Sequence, residues 1–168
     1  MGQPNLLVNK HGKRIMTEDH MQNTTFLSNV ASHQKDRVVF SIIDSSIARY
    51  YMRNGVDNVC LVRPNPDVSD FKDAIKQAQD TGNKGIFIAN SIEELAEMTG
   101  IDKENLVATV DQYNDYCDFG DKEFFKPIRY MRPLVKAPYY AVKIHPGGYG
   151  TVGGIRINEN CEACDKDF

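Results

Sequence analysis

The sequence predicts an α+β domain, and three observations carry that prediction. Short apolar, β-branched runs at residues 5–9, 37–44, 85–89 and 139–144 are interleaved with amphipathic stretches of helical period. A chain of 168 residues with 41% hydrophobic content can bury the core of one ordinary domain, and a second full domain does not fit. No G-x-G-x-x-G joins a strand to a helix with an acidic ribose-binding residue placed after it, so the dinucleotide fingerprint is missing.

Composition narrows the function classes. Lys and Arg number 20 against 23 Asp and Glu, giving a net charge of −3 with the signs interspersed, which argues against nucleic acid or an anionic membrane surface as partner. No apolar run approaches the roughly 18–20 residues of a membrane span. The N-terminus lacks the order of a signal peptide, so a cytoplasmic location is expected, with export by a signal outside this chain as the alternative. The 4 cysteines are too sparse for a disulfide scaffold.

The first element is a short strand, Asn5-Leu6-Leu7-Val8-Asn9, running into a turn at His11-Gly12, so a hairpin opens the chain. Arg14 and Glu18 follow on its returning arm. They read equally as a structural or site-edge ion pair and as a solvated surface pair worth under about 1 kcal/mol. His20 through His33 is predicted as one helix, with Met21, Phe26, Leu27, Val30 and Ala31 near helical spacing. Imidazole titrates near neutrality, which makes His20 either a candidate acid or simply an exposed residue at a helix start.

Arg37 to Asp44 has the signature of a buried strand, closed by Asp44-Ser45-Ser46 as an N-cap cluster for a helix that stops at Asn54-Gly55. Val59-Cys60-Leu61-Val62 is a second apolar run, bounded by the loop Arg63-Pro64-Asn65-Pro66, with Cys60 read as a small core hydrophobe. Asp67 to Thr81 is amphipathic, with Val68, Phe71, Ala74, Ile75 and Ala78 on one face and Gly82 ending the helix. Gly85 to Ala89 is the next strand. Ser91 with Glu94 forms a capping-box pattern for a helix through Met98. No catalytic constellation is visible between residues 37 and 100.

Lys103 to Phe119 is predicted as a long helix capped by Asp102, with Leu106, Val110, Tyr113 and Cys117 as its apolar stripe and Asn114 placed to stitch it to a neighbouring loop. Residues 120–138 form a charged connector in which Lys126-Pro127 and Arg132-Pro133 favour extended backbone. Arg129 and Arg132 there could face an anionic ligand or be solvated. Tyr139 to Ile144 and Ile155 to Asn158 both alternate as strands, and the stretch Gly147-Gly148-Tyr149-Gly150-Thr151-Val152-Gly153-Gly154 forms a hairpin-like corner between them. Without a Cβ in the way, such backbone allows close approach of a planar or anionic ligand; a tight turn with nothing bound is the competing reading. Cys161-Glu162-Ala163-Cys164 lacks both the strand-to-helix context of a redox pair and the further ligands of a zinc site, so it reads as a turn, and no metal site is expected.

The run from Pro138 to Asn158, P-Y-Y-A-V-K-I-H-P-G-G-Y-G-T-V-G-G-I-R-I-N, resembles the return segment of the fumarate reductase and succinate dehydrogenase type flavoproteins. Gly12 to Asp19 is similar to the family's element leading into its capping domain, and Gly100 to Lys126 to the cap helix that precedes the return strand. The resemblance implies a capping domain over residues 1–138, including the opening hairpin, and a return segment over 139–168 toward an FAD-binding domain outside this chain. A small mixed sheet with packed helices is implied as its architecture. Also implied are FAD as cofactor, Gly150, Thr151, Gly153 and Gly154 beside the flavin, Arg14 and Gly148 at the substrate, and a small-molecule substrate.

Two departures bear on the chemistry. Gln22 stands where fumarate reductases carry the arginine that donates a proton, and Gly150 where many relatives carry a substrate-binding histidine. An amide does not titrate in the accessible range, though it can orient a carbonyl or carboxylate. Fumarate reduction is therefore not expected. A phenol can hydrogen-bond a carbonyl oxygen or act as a weak acid, so Tyr149 suits an enone-like or neutral substrate. The catalytic candidates are Tyr149, Gln22 and His20. The implied activity is that of an FAD-dependent oxidoreductase exchanging hydride between flavin and an activated carbon–carbon bond, with FAD not retained by this piece alone. A flavin-free, non-enzymatic α+β binding module is the alternative, and a C-x-x-C metal half-site completed by a partner chain is a third.

Overall fold

A computed structural model describes residues 2–59, 64, 66–148, 150 and 154–165. Four strands form its sheet: β1 (Leu6–Asn9), β2 (Val39–Asp44), β3 (Ile86–Ala89) and β4 (Tyr139–Ile144), in the order β1-β2-β4-β3. Every pairing among them is antiparallel, so the α+β class holds while the sheet, expected to be mixed, is not. β4 is the last strand in sequence and lies inside the sheet, with all six of its residues paired to β2, from Val39 opposite Ile144 to Asp44 opposite Tyr139.

Five α-helices cover the sheet: α1 (Thr24–Ser32), α2 (Ser45–Asn54), α3 (Phe71–Asp80), α4 (Ile92–Thr99) and α5 (Lys103–Phe119). Because side chains alternate across a strand, Leu6, Val8, Phe40, Ile42 and Ala141 point to one face. There they bury against Leu95 and Ala96 of α4 and Leu106, Val110 and Tyr113 of α5. Leu7, Val39 and Ile144 point to the other face and bury against Met16, Met21, Leu27 and Ala31. Each fully buried Leu or Phe contributes on the order of 1.5–3 kcal/mol.

The caps follow the sequence closely. Asp44 accepts from the backbone N–H of Ser46 and Ile47, Ser91 from that of Glu94, and Asp102 from that of Asn105. Glu94 reaches back to the N–H of Asn90, one residue before the cap. Helix α5 has the predicted bounds, and Asn114 makes the predicted stitch, donating to the Leu134 carbonyl at 3.1 Å and accepting from the Leu134 N–H at 2.8 Å.

Three expectations are corrected. The helix predicted over His20–His33 is two elements, a 3-10 helix Glu18–Gln22 and then α1, because Asn23 leaves the helical region and accepts from the Phe26 N–H as an N-cap. α3 begins at Phe71 rather than Asp67, since Asp67 turns back to accept from the Ser69 N–H. Among the described residues, Ile155–Asn158 pairs with no named strand: Ile157 bridges Ala163, across a turn closed by Cys161 N–H to Asn158 O, rather than β4. The predicted run at Val59–Val62 falls largely outside the described residues.

The opening hairpin docks on the N-terminus of α5. Asp102 N–H donates to the Lys10 carbonyl at 3.0 Å, and the Thr109 hydroxyl donates to the Gly12 carbonyl at 2.6 Å. Gly12 has φ 70°, and a Cβ there would lie 2.6 Å from the Leu106 nitrogen, so glycine is required both by conformation and by contact.

Candidate functional site

The candidate site lies where β4 ends. Ile144, its last residue, packs in the same buried cluster as Met21 of the 3-10 helix Glu18–Gln22. The chain then leaves the sheet into Gly147, Gly148, Gly150 and Gly154, all exposed. A Cβ at any of these four would meet nothing within 4 Å, and Gly154 has φ 148°, which side-chain-bearing residues rarely adopt. This is bare main chain with open space beside it, the form of surface a flat ring can approach. Tyr149, Thr151 and Gly153 lie outside the described residues.

On the 3-10 helix the polar candidates face solvent. His20 is exposed, its Nδ1 lies 3.7 Å from an Asp19 carboxylate oxygen, and its ring meets that of Phe26 edge-on at 6.1 Å. Gln22 is exposed, and its amide has no hydrogen bond among the described residues. Burial of Met21 between them fixes the orientation of the element, leaving both polar heads available.

What anchors this element is a buried network, not a solvated pair. Arg14 is 6% exposed and Glu18 fully buried. Arg14 Nε donates to Glu18 Oε1 at 2.9 Å and Nη2 to Glu18 Oε2 at 2.8 Å, while Nη1 and Nη2 reach the two Asp121 oxygens at 3.0 and 2.8 Å. Lys126 Nζ lies 3.5 Å from Glu18 Oε2 and donates to the Tyr113 hydroxyl at 2.7 Å. Asp121 in turn accepts from the N–H groups of Glu123, Phe124 and Lys126. Two buried cations thus meet two buried carboxylates, and Arg14 also lies between the Tyr113 and Phe124 rings, 5.3 and 5.0 Å from their centroids.

The titration of these groups follows from that geometry. Burial acts to lower the Arg14 pKa, but the hydrogen bonds Arg14 donates to Asp121 and Glu18, with the charges of those carboxylates, outweigh it and the pKa rises. Burial acts to raise the Asp121 pKa, but Arg14 and the three N–H donors hold the carboxyl far below the ordinary range. Burial pushes Lys126 down against the pull of Glu18, and pushes the Cys117 thiol up to about 11. The donors that Arg14 would offer a substrate are engaged by Glu18 and Asp121.

Sequence reasoning identified the Arg14–Glu18 pair but missed Asp121, Lys126 and Tyr113 as its partners. No spacing rule links residue 14 to residue 121; Asp121 beside Gly120 reads as a turn, and Lys126 before Pro127 as a solvated loop lysine. Arg132, considered for an anionic ligand, instead makes a two-pronged pair with Asp57 at 2.7 and 2.9 Å and stacks 4.0 Å from the Tyr50 ring centroid. Arg129 stacks on the neighbouring Tyr130. Cys161 is exposed and Cys164 half-buried, both free, and no cluster of metal-ligating side chains occurs among the described residues.

Comparison with known proteins adds to this geometry. The family described as "FAD binding domain" matches residues 2–167. The chain belongs to that family. Among curated relatives, the vinyl phenol reductase of Lactiplantibacillus plantarum is 29% identical over 97% of this chain and 33% of its own length, and the urocanate reductase of Eggerthella lenta 26% identical over 96% of this chain and 24% of its own. The chain therefore spans a third or less of these relatives. Its fold is that of part of a flavocytochrome c3 fumarate reductase in the open conformation (TM-score 0.64, 24% identity, 99% of this chain and 25% of that one). It is also that of the solution structure of a fumarate reductase flavoprotein subunit from Lactobacillus plantarum (TM-score 0.62, 22% identity), where 90% of this chain matches 89% of that chain. A chain almost wholly matched by this fold has thus been studied in solution.

Proposed function

We propose that this chain is the capping domain and first part of the return segment of an FAD-dependent oxidoreductase acting on an activated carbon–carbon bond. The observation that carries the reading is the bare main chain at Gly147, Gly148, Gly150 and Gly154, which follows β4 from the cluster that Ile144 shares with Met21 of the 3-10 helix presenting His20 and Gln22. Family membership over residues 2–167 supports it. The exposed glycine backbone fits a flavin edge, and bound FAD would supply the hydride chemistry.

The chain's own residues would exclude water and orient substrate. Gly150, Thr151, Gly153 and Gly154 would line the flavin and Gly148 the substrate. Tyr149, Gln22 and His20 would supply polar contacts, with Tyr149 or His20 holding the proton to be transferred and Gln22 orienting a carbonyl. Arg14 enters at the edge of the site, through Glu18, as the residue that holds the 3-10 helix in place. Without the arginine and histidine of fumarate reductases, the site suits a neutral or enone-like small molecule better than a dicarboxylate. The partner would be the FAD-binding domain of the same parent chain.

The test is a visible-absorption titration with FAD of the 168-residue chain beside a longer gene product carrying both flanks. Flavin retained only by the longer protein is the expected result. If neither holds flavin, the oxidoreductase reading fails. In a flavin-loaded longer protein, Tyr149→Phe is expected to lower turnover, and unchanged turnover would remove Tyr149 as the acid.

A further inference from the structure

A groove lies at the other end of β4. It has a volume of about 390 Å³ and is formed where α2, α3 and the connector preceding β4 meet. Tyr140 in its wall is four residues from Ile144, about 14 Å along the strand, so the groove opens well away from the glycine segment. Ten residues line it, three of them cations and none a carboxylate, on a chain whose net charge is −3. The cations are Arg49, Lys72 and Lys136. None has a carboxylate partner among the described residues, in contrast to Arg14, Lys126 and Arg132.

The remaining wall is largely apolar. Phe71 and Tyr140 meet edge to face, with centroids 5.4 Å apart and planes at 83°, and Met52 lines the same groove. Burial raises the Tyr140 pKa, so its hydroxyl stays a neutral donor. The connector is tied down, since the Ser45 hydroxyl donates to the carbonyls of Lys136 and Ala137, both at 2.9 Å, and the Ser45 N–H to Lys136 O at 3.1 Å. Three unneutralised cations beside an aromatic corner of small-molecule size make a surface complementary to an anion with a planar body.

We propose that this groove binds a small planar anion, an aromatic carboxylate or aryl phosphate, with its ring against Phe71 and Tyr140 and its charge on Arg49, Lys72 and Lys136. The site is independent of flavin, so it stands or falls separately from the oxidoreductase reading.

The experiment is an amide ¹H–¹⁵N titration of the 168-residue chain with benzoate, phenyl phosphate, adenosine monophosphate, inorganic phosphate and neutral benzyl alcohol. Saturable shifts at Phe71, Lys72, Lys136 and Tyr140 are expected with the aromatic anions and not with benzyl alcohol. Tighter binding of benzoate would point to a carboxylate, of phenyl phosphate to an aryl phosphate, and of adenosine monophosphate to a nucleotide source. Combined Arg49→Gln, Lys72→Gln and Lys136→Gln is expected to weaken binding at least tenfold with the far-ultraviolet circular dichroism unchanged. Should that variant misfold, Lys72→Gln with Lys136→Gln, both exposed, is expected to weaken it about fivefold. The proposal is overturned if benzyl alcohol binds as well as benzoate, if inorganic phosphate binds as well as phenyl phosphate, if the charge variants bind unchanged, or if no shift saturates.

Discussion

The network around Arg14 and the glycine segment after β4 are opposite solutions to the same problem of placing polar groups. In the first, Arg14, Glu18, Asp121 and Lys126 are buried and satisfy one another, and Asp121 also takes three backbone N–H groups. In the second, the main chain at Gly147, Gly148, Gly150 and Gly154 is exposed and has open space beside it. Groups that complete one another inside the fold serve its geometry, while groups left bare are available to something outside it. The two regions are joined through the 3-10 helix, which Glu18 anchors at one end and whose Met21 packs with Ile144.

The largest break in this contrast is expected from Glu18→Ala. It leaves Lys126 and part of Arg14 buried without a counter-charge, so a loss of about 3–5 kcal/mol is expected by urea denaturation. A loss below about 1 kcal/mol would mean that the network does not hold the opening hairpin. Acid should act on the same network next. The Asp121 pKa is lower folded than unfolded, so its contribution is fully present above the ordinary aspartate value of about 3.9 and is lost as pH falls below it. The urea midpoint should drop below about pH 4 in the native chain, and Asp121→Asn should flatten that dependence.

Smaller effects sharpen the comparison. Asn114→Ala removes both bonds to Leu134 and is expected to cost about 1–2 kcal/mol, read as a lowered Tm. Gly148→Ala lies in the bare region, where a Cβ meets nothing, and should change the stability of this chain by less than about 0.5 kcal/mol. The same substitution should raise the KM for substrate in the flavin-loaded longer protein. A stability loss as large as that of Asn114→Ala would show that the glycine segment packs against the fold after all.

Local elements were legible where one chemical signal dominates. The bounds of α5 and β4 follow from a capping aspartate, a helical apolar stripe and a β-branched alternation. The break at Asn23 was not legible, because Met21, Phe26 and Leu27 keep near-helical spacing across it while the asparagine cap interrupts the backbone. Ile155–Asn158 alternates like a strand, yet alternation supplies no partner, and its side chains at Ile155 and Ile157 remain exposed. For the candidate site, the glycine segment, Gln22 and His20 could be read from residue type, whereas the anchoring of their element could not.

The sequence by itself determined the α+β class, the caps, most element bounds and the resemblance to FAD-dependent flavoproteins, since these rest on local periodicity and on contiguous motifs. Only the tertiary structure decided which charges are buried together. It closed Arg14 onto Asp121 across 107 residues, left Arg49, Lys72 and Lys136 without carboxylates around one groove, and set β4 between β2 and β3. The energy of a charge depends on its burial and on its neighbours, and neither is a property of the chain before it folds.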